Sequence, residues 1–204
     1  MAPRSKTDAE AVFQKHYEGL ASCVKEGHAT YIDRHGSGLA ALEAGTKRSM
    51  VRDYIVSRLE DLADGGDKSN GLHFVKKGCR SYLGVENKFV IRVKHVDHKF
   101  KVGVSPTNDS RCFNRNEVPD DISSEFGEEE PTALYLGWWT NENAPMVPET
   151  ALVCNNYAGE VAWVLPIIGD GLPPEFELPI PDIGPKTGTV VKIKKTAKVA
   201  NSDG

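Results

Sequence analysis

The sequence predicts an α+β fold in which N-terminal helices pack on a mainly antiparallel sheet, followed by a Pro- and Lys-rich C-terminal tail. Before Gly71, apolar residues recur at three- and four-residue spacings, as they do on one face of a helix. After Gly71, β-branched and aromatic residues alternate with a period of two, which indicates strands. Beyond Ile168 the composition changes to proline and then lysine. We therefore expect a single domain over residues 8–168 and an extended or disordered tail over residues 169–204.

Two long helices are predicted in the N-terminal part. The first spans residues 8–26, and Gly27 with the turn-forming residues after it is expected to interrupt it. The chain then has room for a short helix over residues 39–43. The second long helix is expected to begin at a cap formed by Thr46 or Ser49 and to end in the glycine- and aspartate-rich turn that follows.

Six strands are predicted, at residues 72–75, 80–85, 89–96, 132–139, 151–154 and 161–167. Short connections join the first three strands, which predicts an antiparallel meander. The last two strands are expected to pair as a hairpin with a left-handed residue near Gly159. Residues 105–131 are polar and predict a long loop, which in a compact domain is often functional or disordered.

The third predicted strand carries two cations on one face. Because side chains alternate along a strand, Arg92 and Lys94 point to the side opposite Phe89, Ile91 and Val93. We expect the face with Arg92 and Lys94 to meet solvent or a partner. It makes these two residues candidates for binding a partner or an anion.

The same strand resembles the catalytic strand of the Asp…Glu-x-Lys nucleases, in which a Glu binds a divalent cation and a Lys follows two residues later. Arg92 stands where that Glu should be, and a guanidinium cannot ligate a cation. A divergent metal-dependent nuclease using Glu86 or Asp97 with Lys94 therefore remains only an alternative. No catalytic residue is predicted.

The sequence His95-Val96-Asp97-His98 is a candidate metal site, and Cys112 is a candidate reactive thiol. His95 and His98 point to opposite faces of a strand, so only a turn near Asp97 could bring them together, and no metal is predicted. Cys112 lies beside Arg111 and Arg115, which would lower its thiol pKa and make it the thiol to test. No cofactor is predicted.

Charge and cysteine usage limit the compartment and the partners. The formal net charge is −4 and the sequence pI is about 5.9, so the chain has no general attraction for nucleic acid. The four cysteines form no Cys-x-x-Cys pair, which is typical of reduced thiols in a cytoplasm. No apolar run is long enough to cross a bilayer, and the N-terminus lacks the apolar core of a secretory signal. We expect a cytoplasmic protein without a membrane partner.

A nucleic-acid-binding regulator is the second alternative. Its basic residues would come from the second long helix and the third strand. They are Lys47, Arg48, Arg52, Arg58, Arg92, Lys94 and Lys99. The same residues on solvated faces need no ligand, and the sequence shows no clear recognition helix.

Three short motifs resemble the landmarks of an uncharacterised bacterial family. They are Arg92-Val93-Lys94-His95-Val96-Asp97, Ser105-Pro106-Thr107, and Val153-Cys154-Asn155-Asn156 followed by Gly159-Glu160-Val161-Ala162-Trp163. Members of that family are often encoded beside a helix-turn-helix regulator and a zinc-peptidase-like protein, in toxin–antitoxin or phage-defence modules. The resemblance implies a genomic context and names no catalytic residue.

The leading hypothesis from the sequence is a non-catalytic protein-binding component, an antitoxin or accessory subunit of such a module. Its expected partner is a protein, such as a toxin or peptidase-like protein from a neighbouring gene, with nucleic acid as a further possibility. The Pro-rich tail suits binding to a partner in an extended form. The candidate partner- or anion-binding residues are Arg92, Lys94, Arg111, Arg115 and Trp139.

Overall fold

The computed structural model describes residues 3–36, 42–65, 70–126, 130–141 and 144–167. Its helices are α1 (Lys6–Phe13), α2 (Tyr17–His35), α3 (Ala44–Gly65), α4 (Asn108–Asn114) and α5 (Asp120–Ser123). Its strands are β1 (Leu72–Lys77), β2 (Arg80–Val85), β3 (Phe89–His95), β4 (Thr132–Asn141), β5 (Ala144–Asn155) and β6 (Val161–Pro166). The predicted tail and most of the predicted short helix over residues 39–43 lie outside the described residues.

The strands form one sheet in the order β1-β2-β3-β4-β5-β6, and the pairing is antiparallel throughout except between β3 and β4, which are parallel. Helices α1 to α3 cover one face of this sheet, where Phe89, Ile91 and Val93 join the larger apolar core. The predicted α+β class, with N-terminal helices on a mainly antiparallel sheet, is confirmed. The three-stranded meander and the last hairpin are also present, and Gly159 in that hairpin has a φ of +78°.

The first predicted helix is wrong in its bounds. A 3-10 turn at Gln14–His16 divides it into α1 and α2, and α2 continues past Gly27 to His35. Gly27 does not end the helix because it is a packing residue: a Cβ added there would lie 2.7 Å from the Ile55 backbone nitrogen in α3. The two helices approach so closely at this point that only glycine fits.

The second long helix begins earlier than predicted. The amide of Lys47 already donates to the Glu43 carbonyl, at 3.0 Å, so Thr46 lies within the first turns of α3 and does not cap it. Ser49 lies further inside the helix. The helix ends at Gly65, in the predicted turn.

The predicted loop over residues 105–131 is wrong, because this segment contains α4 and α5 and covers the second face of the sheet. Its buried side chains Phe113, Ile122 and Phe126 form a second apolar cluster with residues of the sheet. Arg80 of β2 binds the segment through two ion pairs. Its guanidinium contacts the carboxylates of Asp109, at 2.6 Å, and Asp121, at 2.8 Å.

The side chain of Asn116, in the middle of this segment, forms hydrogen bonds to the sheet. Its Nδ2 donates to the carbonyls of Ala133, at 3.1 Å, and Asn155, at 2.9 Å. Its Oδ1 accepts from the amide of Ala133 at 3.1 Å. Asn116 has a φ of +62°, a left-handed conformation that asparagine tolerates better than most residues. One side chain thus hydrogen-bonds to both β4 and β5.

We expect Gly27→Ala to destabilise the protein by about 1–3 kcal/mol, because the added methyl group cannot avoid the α3 backbone. The cost should exceed the gain of about 1 kcal/mol in helix propensity. Gly45→Ala is the matched control, since a Cβ at Gly45 meets no atom within 4 Å. Urea unfolding followed by circular dichroism measures both variants. Equal stability of the two variants would contradict the close approach of α2 and α3.

Candidate functional site

A cleft with basic walls lies between the first half of α3, the end of β3 and the loop after β3. Its volume is about 410 Å³. We call it the basic cleft, and it is lined by Arg48, Ser49, Arg52, Lys94, His95, Asp97, Lys101, Val102 and Gly103. Arg48 and Arg52 are four residues apart and so lie on one face of α3, one above the other. The cleft therefore combines local helix geometry with residues from β3 and its loop.

Lys94 is partly buried in the basic cleft without an opposite charge. Burial lowers the pKa of its ammonium, and the positive charges of Arg92 and Arg52 lower it further. No carboxylate of the described residues lies within ion-pair distance of Lys94. A cation held among cations and partly shielded from water is unfavourable by itself, and an anion at this place would compensate it.

Arg92 lies at the base of the same region. Its guanidinium carbon is 5.3 Å from the ring centroid of Tyr82 and 5.3 Å from that of Phe113, and the two rings lie 6.0 Å from each other, so the cation packs beside a pair of contacting aromatic rings. Its Nη1 atom is buried without a hydrogen-bond partner. Arg92 is thus only partly exposed, because Phe113 of α4 covers part of its guanidinium, and the expectation that this face of β3 meets solvent or a partner holds for Arg92 only in part.

A small cavity of about 40 Å³ extends from the basic cleft towards Arg92. Both Arg52 and Lys94 line it, together with Asp53, Val56, Cys79, Ser81, Arg92 and Val93. Asp53 is bound to Arg52, whose Nη2 contacts its Oδ1 at 2.6 Å. This carboxylate thus offsets part of the charge of Arg52 and leaves Lys94 and Arg92 unpaired.

Asp97 lies in the wall of the basic cleft, and its carboxylate binds backbone amides of its own loop. Its Oδ1 accepts from the amides of Lys99 and Lys101, each at 2.8 Å. Burial acts to raise the pKa of Asp97, and the two amide hydrogen bonds outweigh it and hold the pKa below the usual value. Asp97 therefore shapes the loop that places Lys101 in the cleft.

The structure separates the five predicted binding residues. Arg92 and Lys94 lie together with Arg52. Arg111 and Arg115 are exposed on α4 and at its end, and neither lines the basic cleft. Trp139 is partly buried with its ring edge against Phe100, at a centroid distance of 5.3 Å.

Sequence reasoning missed Lys101, and it named Lys99, which is exposed and does not line the cleft. The signal lay in the two apolar residues that flank the turn, Val96 and Val102, which pair across it in an isolated antiparallel bridge. An Asp at the start of such a turn commonly binds the amides two and more residues later. The bridge from Val96 to Val102 returns the chain to the strand directly after Lys101, which places this lysine beside the cleft.

The predicted lowering of the Cys112 pKa is wrong. Burial raises the pKa of this thiol, and the neighbouring Glu117 raises it further. Arg115 acts in the predicted direction but is outweighed. Counting charges next to the cysteine in sequence missed both the burial and the carboxylate.

The nuclease alternative gains no support from the geometry. Glu86 lies before β3 and Lys94 near its end, about 26 Å apart for eight extended residues. Lys15 and Lys88 bind the Glu86 carboxylate, at 2.6 and 3.2 Å.

Among the residues that the structure describes, no three His, Cys, Asp or Glu side chains come together as metal ligands would. His95 instead packs on Trp138 at a centroid distance of 4.9 Å, while His98 is exposed.

Comparisons with protein-family models, with curated proteins and with solved structures find no match to this chain. The resemblance to the bacterial family of toxin–antitoxin and phage-defence modules therefore stays a prediction. Within the described part of the chain, no helix has the length and apolar character needed to span a membrane.

We expect Lys94→Met to leave the melting temperature equal to or above that of the wild type, because it removes a partly buried charge that two guanidiniums repel. The apolar stem of lysine is retained in methionine, so packing changes little. Thermal unfolding at neutral pH and low salt measures the effect.

Lys76→Met is the control. Because Lys76 is exposed on β1, the same substitution there should leave the melting temperature unchanged. A fall of several degrees for Lys94→Met alone would mean that Lys94 has a stabilising partner, which would contradict the charge imbalance of the cleft.

Proposed function

We propose that this protein binds nucleic acid without cleaving it, and that the basic cleft holds the phosphate groups of one strand. The observation that carries the proposal is the partly buried ammonium of Lys94, which is surrounded by cations and has no carboxylate partner among the described residues. Such a charge raises the free energy of the unbound protein, and a bound phosphate would compensate it. A structural role alone gives no reason to bury it.

The arrangement of the cations suits a chain of phosphates. Arg48 and Arg52 are separated by about 6 Å along the axis of α3. Lys94 and Lys101 face them from the other wall. An anionic strand lying between the walls would meet a positive charge from both sides, whereas a single small anion would use only part of the set.

The overall charge favours a local contact over a broad one. With a net charge of −4, the protein repels nucleic acid at long range and attracts it only where cations cluster. A cleft of about 410 Å³ provides one local site for phosphate groups. Binding without cleavage is supported by Arg92, which stands where the Asp…Glu-x-Lys nucleases have a metal-binding carboxylate.

The double variant Arg48→Ala/Arg52→Ala should bind a fluorescent single-stranded oligonucleotide at least tenfold more weakly at low salt. The slope of log K against log salt should fall by about 1.4, since each phosphate contact on a single strand contributes about 0.7. Fluorescence anisotropy over a series of salt concentrations measures both quantities.

Arg111→Ala/Arg115→Ala is the matched control, because it removes the same charge from exposed positions outside the cleft. It should change affinity and slope little. Equal losses in the two double variants would mean that the attraction is general and not located in the basic cleft. No detectable binding by the wild type would refute the proposal.

The antitoxin or accessory role stays a prediction that follows from the resemblance. The described surface offers few large exposed hydrophobic residues for a protein partner, namely Val104, Val147 and Tyr157. The tail expected to bind that partner lies outside the described residues. Deletion of residues 169–204 should weaken binding to the neighbouring-gene protein in a calorimetric titration, and unchanged affinity would exclude the tail from this role.

A further inference from the structure

A second cleft adjoins the basic cleft and has aromatic walls. Its volume is about 310 Å³. We call it the aromatic cleft, and it is lined by His28, Tyr31, Ile32, Ala44, Lys47, Arg48, Val51, His95, Trp138 and Thr140. Arg48 and His95 line both clefts, so a ligand that occupies one can continue into the other. The size lies at the lower end of the range for small-molecule pockets.

Four aromatic side chains from three elements pack against one another in the wall of the aromatic cleft. Trp138 of β4 is the central ring, with its centroid 4.9 Å from that of His95 and 6.2 Å from that of His28. The Tyr31 ring lies 6.4 Å from His28 on the same helix. Because β3 and β4 place His95 directly beside Trp138 in register, the sheet fixes the wall before any ligand arrives.

The rings are uncharged near neutral pH. Burial lowers the pKa of His28, and burial together with the charge of Arg48 lowers the pKa of His95. The ring wall of the aromatic cleft is therefore uncharged, with rings tilted to one another by 53° to 87°, whereas the basic cleft beside it is cationic. A ligand that matches both has a flat neutral part joined to an anionic part.

Three polar atoms in this wall have no hydrogen-bond partner: His28 Nδ1, Tyr31 OH and Trp138 Nε1. Each of these side chains is only 4% exposed, and a buried polar group without a partner costs about 1–3 kcal/mol. All three side chains line the aromatic cleft. A ligand whose flat part carries donors and acceptors on its edge would satisfy them.

We propose that the aromatic cleft receives an unpaired nucleobase whose adjacent phosphate is held by Arg48 in the basic cleft. This inference rests on the proposed nucleic-acid binding and specifies its ligand as single-stranded. A nucleobase is flat, is neutral, and has donors and acceptors on its edge, as the wall requires. A base paired in a duplex cannot leave the stack to enter the cleft without the cost of unpairing.

The test compares three probes of equal length by fluorescence anisotropy at one low salt concentration. They are a single-stranded DNA of mixed sequence, an abasic single strand with the same number of phosphates, and a DNA duplex. The wild type should bind the single strand about tenfold or more tightly than the other two, as expected for the stacking of one base. Equal binding of the normal and abasic strands would overturn this inference and leave the proposed function standing. Failure of all three probes to bind would overturn both.

Ala44→Phe locates the effect. Ala44 is exposed at the first position of α3 and lines the aromatic cleft, so a phenyl ring there should obstruct the cleft while the core stays unchanged. The variant should bind the normal strand no better than the abasic one, with abasic binding unchanged. Ala29→Phe is the control, because Ala29 is exposed on α2 outside the cleft.

Trp138→Phe provides a second route if Ala44→Phe fails to fold. It keeps an aromatic ring in the wall and removes the unpartnered indole N–H. It should reduce the preference for the normal strand over the abasic one without changing the salt dependence, since no charge is altered. An undiminished preference in both Ala44→Phe and Trp138→Phe would place the base elsewhere and refute the proposal.

Discussion

The parallel pairing of β3 with β4 is the constraint on which the rest of the molecule depends. Parallel neighbours cannot be joined by a tight turn, so the chain must cross from the end of β3 to the start of β4 at the opposite end of the sheet. In this protein the described residues of the crossing segment, 96–126 and 130–131, lie over the face that α1 to α3 leave uncovered. The sheet is therefore covered on both faces. The beginning of the same segment forms one wall of the basic cleft.

The positive charges of the basic cleft oppose folding, and the two apolar layers outweigh them. On one face the helices bury Val51, Ile55 and Leu59 of α3 against the sheet, which holds Arg48 and Arg52 beside the end of β3. On the other face, the Phe113 ring packs against the guanidinium of Arg92. The backbone positions of these cations are thus fixed by the two apolar layers, which keeps the excess of positive charge in one place on the molecule.

The parts of this site that depend on local periodicity could be predicted from the sequence. Alternation along β3 places Arg92 and Lys94 on one face, and the helical period places Arg48 above Arg52. That these two pairs meet could not be predicted, because it depends on how α3 crosses the sheet, which no short stretch of sequence encodes. The partial covering of Arg92 was missed for the same reason, since the Phe113 ring beside it is 21 residues further along the chain.

The crossing segment shows a different limit of sequence reading. Helices α4 and α5 have 7 and 4 residues, too short for an apolar period to be recognised. One signal was present in β2, where Gly84 lies within a run of buried residues. An added Cβ there would lie 2.1 Å from the ring of Phe126. An isolated glycine within a strand often marks the close approach of another group, and here that group belongs to the crossing segment.

The hydrogen bonds of Asn116 imply an order of assembly. Its side chain bonds to Ala133 in β4 and to Asn155 in β5, so its binding site exists only after those two strands have paired. Asn155 lies 39 residues from Asn116 in sequence, which makes this a late and entropically costly contact. The crossing segment should accordingly dock last during folding and open first in the native state. The amides of α4 should therefore exchange with solvent before those of β4 and β5.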